Sequence, residues 1–190
     1  MAEVEGQVRD EKLDPEREAR RRLALAQVRQ YPDHVLRMRA REVEAFDDVL
    51  RALIDRMTHL MQEARGVGLA APQIGILQRV LVYQTDEERA PVALVNPRVA
   101  AAADEHESAD EGCLSLGAAS VVVPVERPVT VTLEAESPVG EPVRIEAEGL
   151  EARVIQHEVD HLDGVLTIDR TTPEARRRAL GELRPQPVLG

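Results

Sequence analysis

The sequence predicts an α+β protein in which antiparallel sheets pack around a central helix carrying the pattern H-E-x-x-H. Three observations predict it. Residues 44–65 repeat apolar side chains at three- and four-residue spacing, and three apolar runs between residues 120 and 149 are separated by proline-containing turns. Residues 150–162 form a second periodic stretch that holds His157, Glu158 and His161. On a helix, residues four apart share a face, so two imidazoles can converge on one divalent ion while Glu158 reaches a water activated there. Taken alone, the same five residues also fit a solvated helix face that happens to carry two histidines.

Composition bounds the remaining classes. At 190 residues and 43% hydrophobic content, the chain has room for one domain with its own core. Aromatics make up 2%, so that core has to be built from Val, Leu, Ile and Ala. A net charge of -11 argues against DNA as a partner, because a duplex binder needs a basic face to release counterions; a local basic patch is compatible with it. Lys12 is the single lysine among 24 basic residues, which reads as coding bias. Cys113 is the single cysteine, so no intrachain disulfide forms and a reducing cytoplasm is the expected setting. No run of 18 apolar residues appears, and the N-terminus is charged where a signal peptide carries its apolar core. Neither a membrane span nor export is expected.

In chain order, residues 1–22 carry dense mixed charge and almost no large apolar side chains, and are expected to form a disordered extension. Residues 23–172 are expected to be the catalytic domain and 173–190 a short arginine-rich helix with a loose tail. A helix can run from Arg17 to Gln30 before Tyr31-Pro32-Asp33 stops it. The helix over 44–65 takes Phe46, Val49, Leu50, Leu53, Ile54, Met57, Leu60, Met61 and Ala64 as its apolar positions, with Gly66 at its stop and His59 on its polar face. The small-residue loop over 66–75 permits close backbone approach to a ligand or a strand, and its glycine spacing matches neither phosphate-loop pattern.

Residues 79–84 and 91–96 read as strands around a polar turn, and 99–112 as an alanine-rich, then acidic, loop with His106 solvated. Residues 120–125, 128–135 and 143–149 read as an antiparallel meander. The helix with the histidines runs from about Leu150 to Leu162, closed by Gly164. Residues 165–169 return as a strand, and Thr172-Pro173 cap a last helix over 173–182.

A catalytic metal needs three protein ligands and one open position. His157 and His161 are two. The third is Cys113 or an acidic side chain; Cys113, preceded by Gly112 in a short non-helical stretch, can come close as a thiolate, and can equally be a small buried hydrophobe.

GVGLAAPQ at 66–73, EGCLS at 111–115 and QHEVDHLDG at 156–164, in that order and at these separations, closely resemble the three signature segments of the bacterial peptide deformylase family. The resemblance extends more loosely from about Leu25 to Thr172. It implies that Cys113, His157 and His161 bind one divalent metal, Fe(II) in the native state, with Zn(II), Ni(II) or Co(II) as substitutes. It implies that Glu158 is the general base and then the acid, and that the Gln73 side-chain amide and the Leu114 backbone N–H form an oxyanion hole. The implied reaction removes the N-formyl group from the formylmethionine of nascent chains and releases formate. Gly68, with its neighbours at 66–69, would pair with the extended peptide. The methionine side chain would lie near Val67, Glu111, Arg153 and His157, the Arg153 stem forming a wall while its guanidinium reaches water.

One departure stands out. After EGCLS this chain reads LGAASVVVPV, with Gly117 where the family has proline and Ser120 and Val125 where arginines that hold the substrate are common. An active deformylase with a weaker grip beyond the methionine is the expectation. The rival readings are a zinc endopeptidase, which would not need Cys113, and a non-catalytic binding protein stapled by its metal. The arginines over 173–182 suggest either a solvated face or docking on ribosomal RNA.

Overall fold

Residues 3–5, 8–10 and 14–183 are described by the computed structural model. Two short strands, β1 (Glu3–Glu5) and β2 (Val8–Asp10), pair antiparallel. The chain then enters helix α1 (Pro15–Leu25), which corrects the disorder expected for residues 15–22. The charges there are arranged to support a helix: the Asp14 carboxylate accepts from the Arg17 N–H at 2.9 Å, Pro15 opens the first turn, and Glu16–Arg20 and Glu18–Arg22 pair one turn apart. Ala24 and Val28 then join the core. The other residues of the expected extension, and the tail from 184 to 190, lie outside the described residues.

Helix α2 (Asp48–Glu63) is capped by Asp47, which accepts from the N–H groups of Val49 and Leu50. Leu50, Leu53, Ile54, Met57, Leu60 and Met61 form its buried face, while Val49 points outward. The left-handed residue at its end is Arg65 (φ 61°) and not Gly66. Gly66 leaves room for a neighbour instead: a Cβ there would stand 2.9 Å from Leu114 Cδ1, which would have to shift.

Next come β3 (Gly68–Ala70), a tight 3-10 turn over Ala71–Ile74, β4 (Val80–Tyr83) and β5 (Val92–Ala102). All four residues of β4 are buried because both faces of the sheet are covered. Val80 and Val82 pack into the cluster under α2, whereas Leu81 and Tyr83 pack into the opposite cluster. The remaining strands are β6 (His106–Gly112), β7 (Val122–Pro128), β8 (Thr130–Glu136) and β9 (Pro142–Glu148). One antiparallel sheet runs in the order β3-β4-β5-β8-β9; β6 and β7 form a separate two-stranded ladder.

Two expectations change here. The segment 99–112 is mostly strand, since β5 continues to Ala102 and β6 begins at His106, which is exposed on a strand end. The meander is broken, because β7 belongs with β6 and only β8 and β9 pair with each other. A single residue, Val129, separates β7 from β8, and the shortest common hairpin loop needs two, so the chain passes from one sheet to the other.

Helix α3 (Gly149–Leu162) lies across the five-stranded sheet on the face opposite α2, with Ala152, Val154, Ile155, Val159 and Leu162 among Leu81, Leu94, Val131 and Leu133. The expected strand at 165–169 is a 3-10 turn over Thr167–Asp169, where the Asp169 carboxylate accepts from the Leu166 N–H at 2.9 Å and holds the backbone bent. Helix α4 (Pro173–Glu182), capped by Thr172, sets Ala175 and Ala179 on a third cluster with Val121, Val123, Val125, Leu166 and Ile168. Among the described residues no helix is long and apolar enough to cross a membrane.

Gly164 closes α3 at φ 75°, and a Cβ there would stand 2.6 Å from the Arg37 carbonyl oxygen. Left-handed strain of about 1–2 kcal/mol therefore adds to a backbone clash in Gly164→Ala. Thermal unfolding of this variant is expected to fall by at least about 2–4 °C, as read by circular dichroism.

Candidate active site

Glu158 and the two histidines sit in the last turns of α3, a helix buried along most of its length. His157 and His161 occupy one face at the spacing of a single turn, with ring centroids 5.0 Å apart. Cys113 follows directly on β6 and is fully buried. One ligand atom from each of Cys113, His157 and His161 lies within 4.8 Å of the other two, and Cys113 Sγ is 3.3 Å from His161 Nε2.

The two imidazoles are pulled in opposite directions. Burial works against a charged His157, but the neighbouring Cys113 and Glu111 outweigh it and hold its imidazole well above the usual range. His161 moves the other way: burial, then the positive charges of His157 and Arg127, keep it well below that range, in the neutral form that can ligate. His157 Nδ1 meets Glu111 Oε2 at 3.0 Å, which leaves Nε2 to face the cluster. That Nε2 is buried and has no hydrogen-bond partner among the described residues, which suits a ligand atom for a metal ion. A thiolate and two imidazoles are a suitable donor set for a borderline divalent ion.

Gln73, fully buried in the turn after β3, is held at both ends of its amide. Its Oε1 accepts from the Ala70 N–H at 2.9 Å, while Nε2 donates to Ser115 Oγ at 3.2 Å and lies 3.8 Å from Cys113 Sγ. The donor end of the amide thus faces the cluster. Leu114 follows Cys113 and its carbonyl accepts from Gln30 Nε2 at 2.8 Å. Gly68 sits where a Cβ would overlap the Glu158 carboxylate. Val67, next to it, is fully buried.

Arg153 corrects an expectation. Its guanidinium does not reach water: it is 8% exposed and donates to Glu111 Oε1 and to the carbonyls of Val125 and Glu107 at 2.9–3.0 Å. Glu111 is buried as deeply as the ligands. Burial would raise its carboxyl, yet His157 and Arg127 hold it well below the usual carboxylate range. Arg127 escaped the sequence reading, although a signal was present: Val123, Val125 and Arg127 alternate on the inward face of β7, so a charge at 127 needs a buried partner.

Ser120 is exposed and Val125 is buried in the third cluster, so neither position presents a cation. Ahead of Ser120, Gly117, Ala118 and Ala119 all have positive φ.

Three buried donors able to hold one metal ion, with an acid one residue from one of them, are the constellation of the mononuclear metal-dependent hydrolases. Relatives narrow the class. Residues 25–177 match the family described as Polypeptide deformylase, and the chain belongs to that family. It is 47% identical over 148 residues to the peptide deformylase of Natranaerobius thermophilus, a match covering 78% of this chain and 93% of that one. Among solved structures, the peptide deformylase of Thermotoga maritima superposes with a TM-score of 0.73 at 45% identity, covering 77% of this chain and 97% of the other. That of Synechococcus elongatus, in complex with actinonin, gives 0.78 at 41% identity, covering 82% and 85%.

Proposed function

We propose that Cys113, His157 and His161 hold one divalent ion for the reaction of this family, hydrolysis of the N-formyl group from the N-terminal formylmethionine of nascent polypeptides. The observation that carries the assignment is the convergence of the three donor atoms beside a buried Glu158. When bound, the ion supplies Lewis acidity toward water and the formyl oxygen. Glu158 takes the proton of the attacking water and returns it to the departing amine. The Gln73 amide and the Leu114 N–H donate to the formyl oxygen as negative charge develops on it.

The peptide adds as a strand alongside β3, the terminal strand of its sheet, with Val67, Gly68, Glu111 and Arg153 near the methionine. Glu111 and Arg153 serve there mainly by shaping the wall, since the Glu111 carboxylate is shared among Arg153, Arg127 and His157 and the Arg153 guanidinium is spent on Glu111 and two backbone carbonyls. In Gly68→Ala the added methyl displaces the Glu158 carboxylate without straining the backbone. We expect kcat to fall about 100-fold in steady-state kinetics, with the melting temperature near that of the parent. With no arginine at 120 or 125, KM for formyl-Met tripeptides should exceed that of a relative bearing both, and equal KM values would remove this part of the reading.

The donor set accepts Fe(II), Zn(II), Ni(II) or Co(II), and we take Fe(II) as the native ion, in a cytoplasmic enzyme acting on chains as they emerge. Arg176, Arg177 and Arg178 on the exposed face of α4 are the candidates for ribosome contact, which co-sedimentation of the Ala variants tests. Stripping the metal anaerobically and restoring each ion in turn tests the metal assignment. Formate release should vanish and return at one ion per chain, highest with Fe(II); activity unchanged in stripped protein would overturn it.

A further inference from the structure

The ligands come from two parts of the fold that share no hydrogen-bonded ladder. Cys113 follows β6 in the two-stranded sheet, whereas His157 and His161 ride on α3 against the five-stranded sheet. Their common focus depends on what joins the small sheet to the helix. A network of buried charges makes that join, and Arg127 contributes to it from β7, itself 5% exposed.

Every hydrogen bond that the structure gives the Arg127 side chain ends on a carboxylate. Nε and Nη2 grip Glu111 Oε1 and Oε2 at 2.6 and 3.0 Å, and Nη1 reaches Asp160 Oδ2 at 3.0 Å. Glu111 belongs to β6, two residues before Cys113, and its Oε2 also holds His157 Nδ1. Asp160 belongs to α3, between His157 and His161, and is further held by Arg170. Arg153 also meets Glu111, but through one nitrogen, with its other bonds going to backbone carbonyls.

We propose that Arg127 is a positioning residue of the metal centre, clamping β6 to α3 through Glu111 and Asp160 and thereby fixing the His157 ring. The planar fork is what the geometry uses. The terminal torsion of a glutamate side chain is broad, so a carboxylate held at one oxygen can swing, whereas two parallel bonds fix its plane and keep Oε2 on His157. A lysine would supply the charge without the plane.

The proposal rests on the ligand assignment above, so that assignment is tested first. Co(II) added anaerobically to the full-length parent should give thiolate-to-cobalt absorption that Cys113→Ser abolishes; its absence in the parent would sink the assignment itself. Given that signal, Arg127→Met should raise the Co(II) dissociation constant about 10–100-fold in chelator competition and shift the visible d–d bands. Arg127→Lys should recover little of the loss. Arg170→Gln, which alters only the half-exposed partner of Asp160, should bind Co(II) within about twofold of the parent. A purely structural Arg127 would lower the melting temperature alone. Arg127→Met binding Co(II) within twofold of the parent, with unchanged d–d bands, overturns the proposal, and if that variant does not fold, Arg127→Lys is judged by the same criterion.

Discussion

Glu158→Gln is expected to lower formate release from formyl-Met-Ala-Ser by about 10⁴-fold while a divalent ion stays bound. General acid–base catalysis contributes about 10²–10⁴-fold, and one carboxylate serving both proton transfers belongs at the upper end. Glutamine keeps the volume of a fully buried side chain packed beside Gly68, so folding should survive. The three proposed ligands are untouched. Metal content measured on the assayed sample separates the outcomes. A loss of rate with one ion per chain fits proton transfer by Glu158, whereas a variant within tenfold of the parent would require another base.

Gln73→Ala should cost about 10²–10³ in kcat, the range for losing one fixed donor to a developing oxyanion. The amide does two jobs, because Oε1 also accepts from the Ala70 N–H at 2.9 Å. Losing that bond should lower stability by about 1 kcal/mol, which alone does not slow chemistry. Gln73→Glu separates the jobs, since it keeps the acceptor for Ala70 and removes the N–H donors. If the account holds, both variants lose kcat, and the alanine variant is also the less stable. A Gln73→Glu enzyme with parental kcat would take Gln73 out of the oxyanion hole.

The same physics explains which parts of the fold were legible in the sequence. Helices α2 and α3 could be read because each buries one continuous apolar face, and periodicity records that directly. Strand β6 (HESADEG) hid because most of its side chains are exposed, so its pairing with β7 leaves no apolar alternation behind. Residues 165–169 misled in the opposite way: Leu166 and Ile168 are buried as a strand's would be, but Asp169 bends the backbone. In α1, balanced i,i+4 pairs looked like the composition of a disordered tail.

At the site, the helical spacing of His157 and His161 was visible locally, whereas the approach of Cys113 is a tertiary contact that spacing does not encode. The resemblance supplied it. Arg153, on α3, was misread because its partner Glu111 lies on β6, 42 residues earlier in the chain.

The most direct test of the central claim is to measure formate release and bound metal on one anaerobic sample of the parent protein as Fe(II) is titrated into metal-free enzyme. The account predicts that formate release from formyl-Met-Ala-Ser rises in proportion to bound iron and saturates at one ion per chain. Protein holding one ion at Cys113, His157 and His161 yet releasing no formate would contradict it, as would full activity without metal.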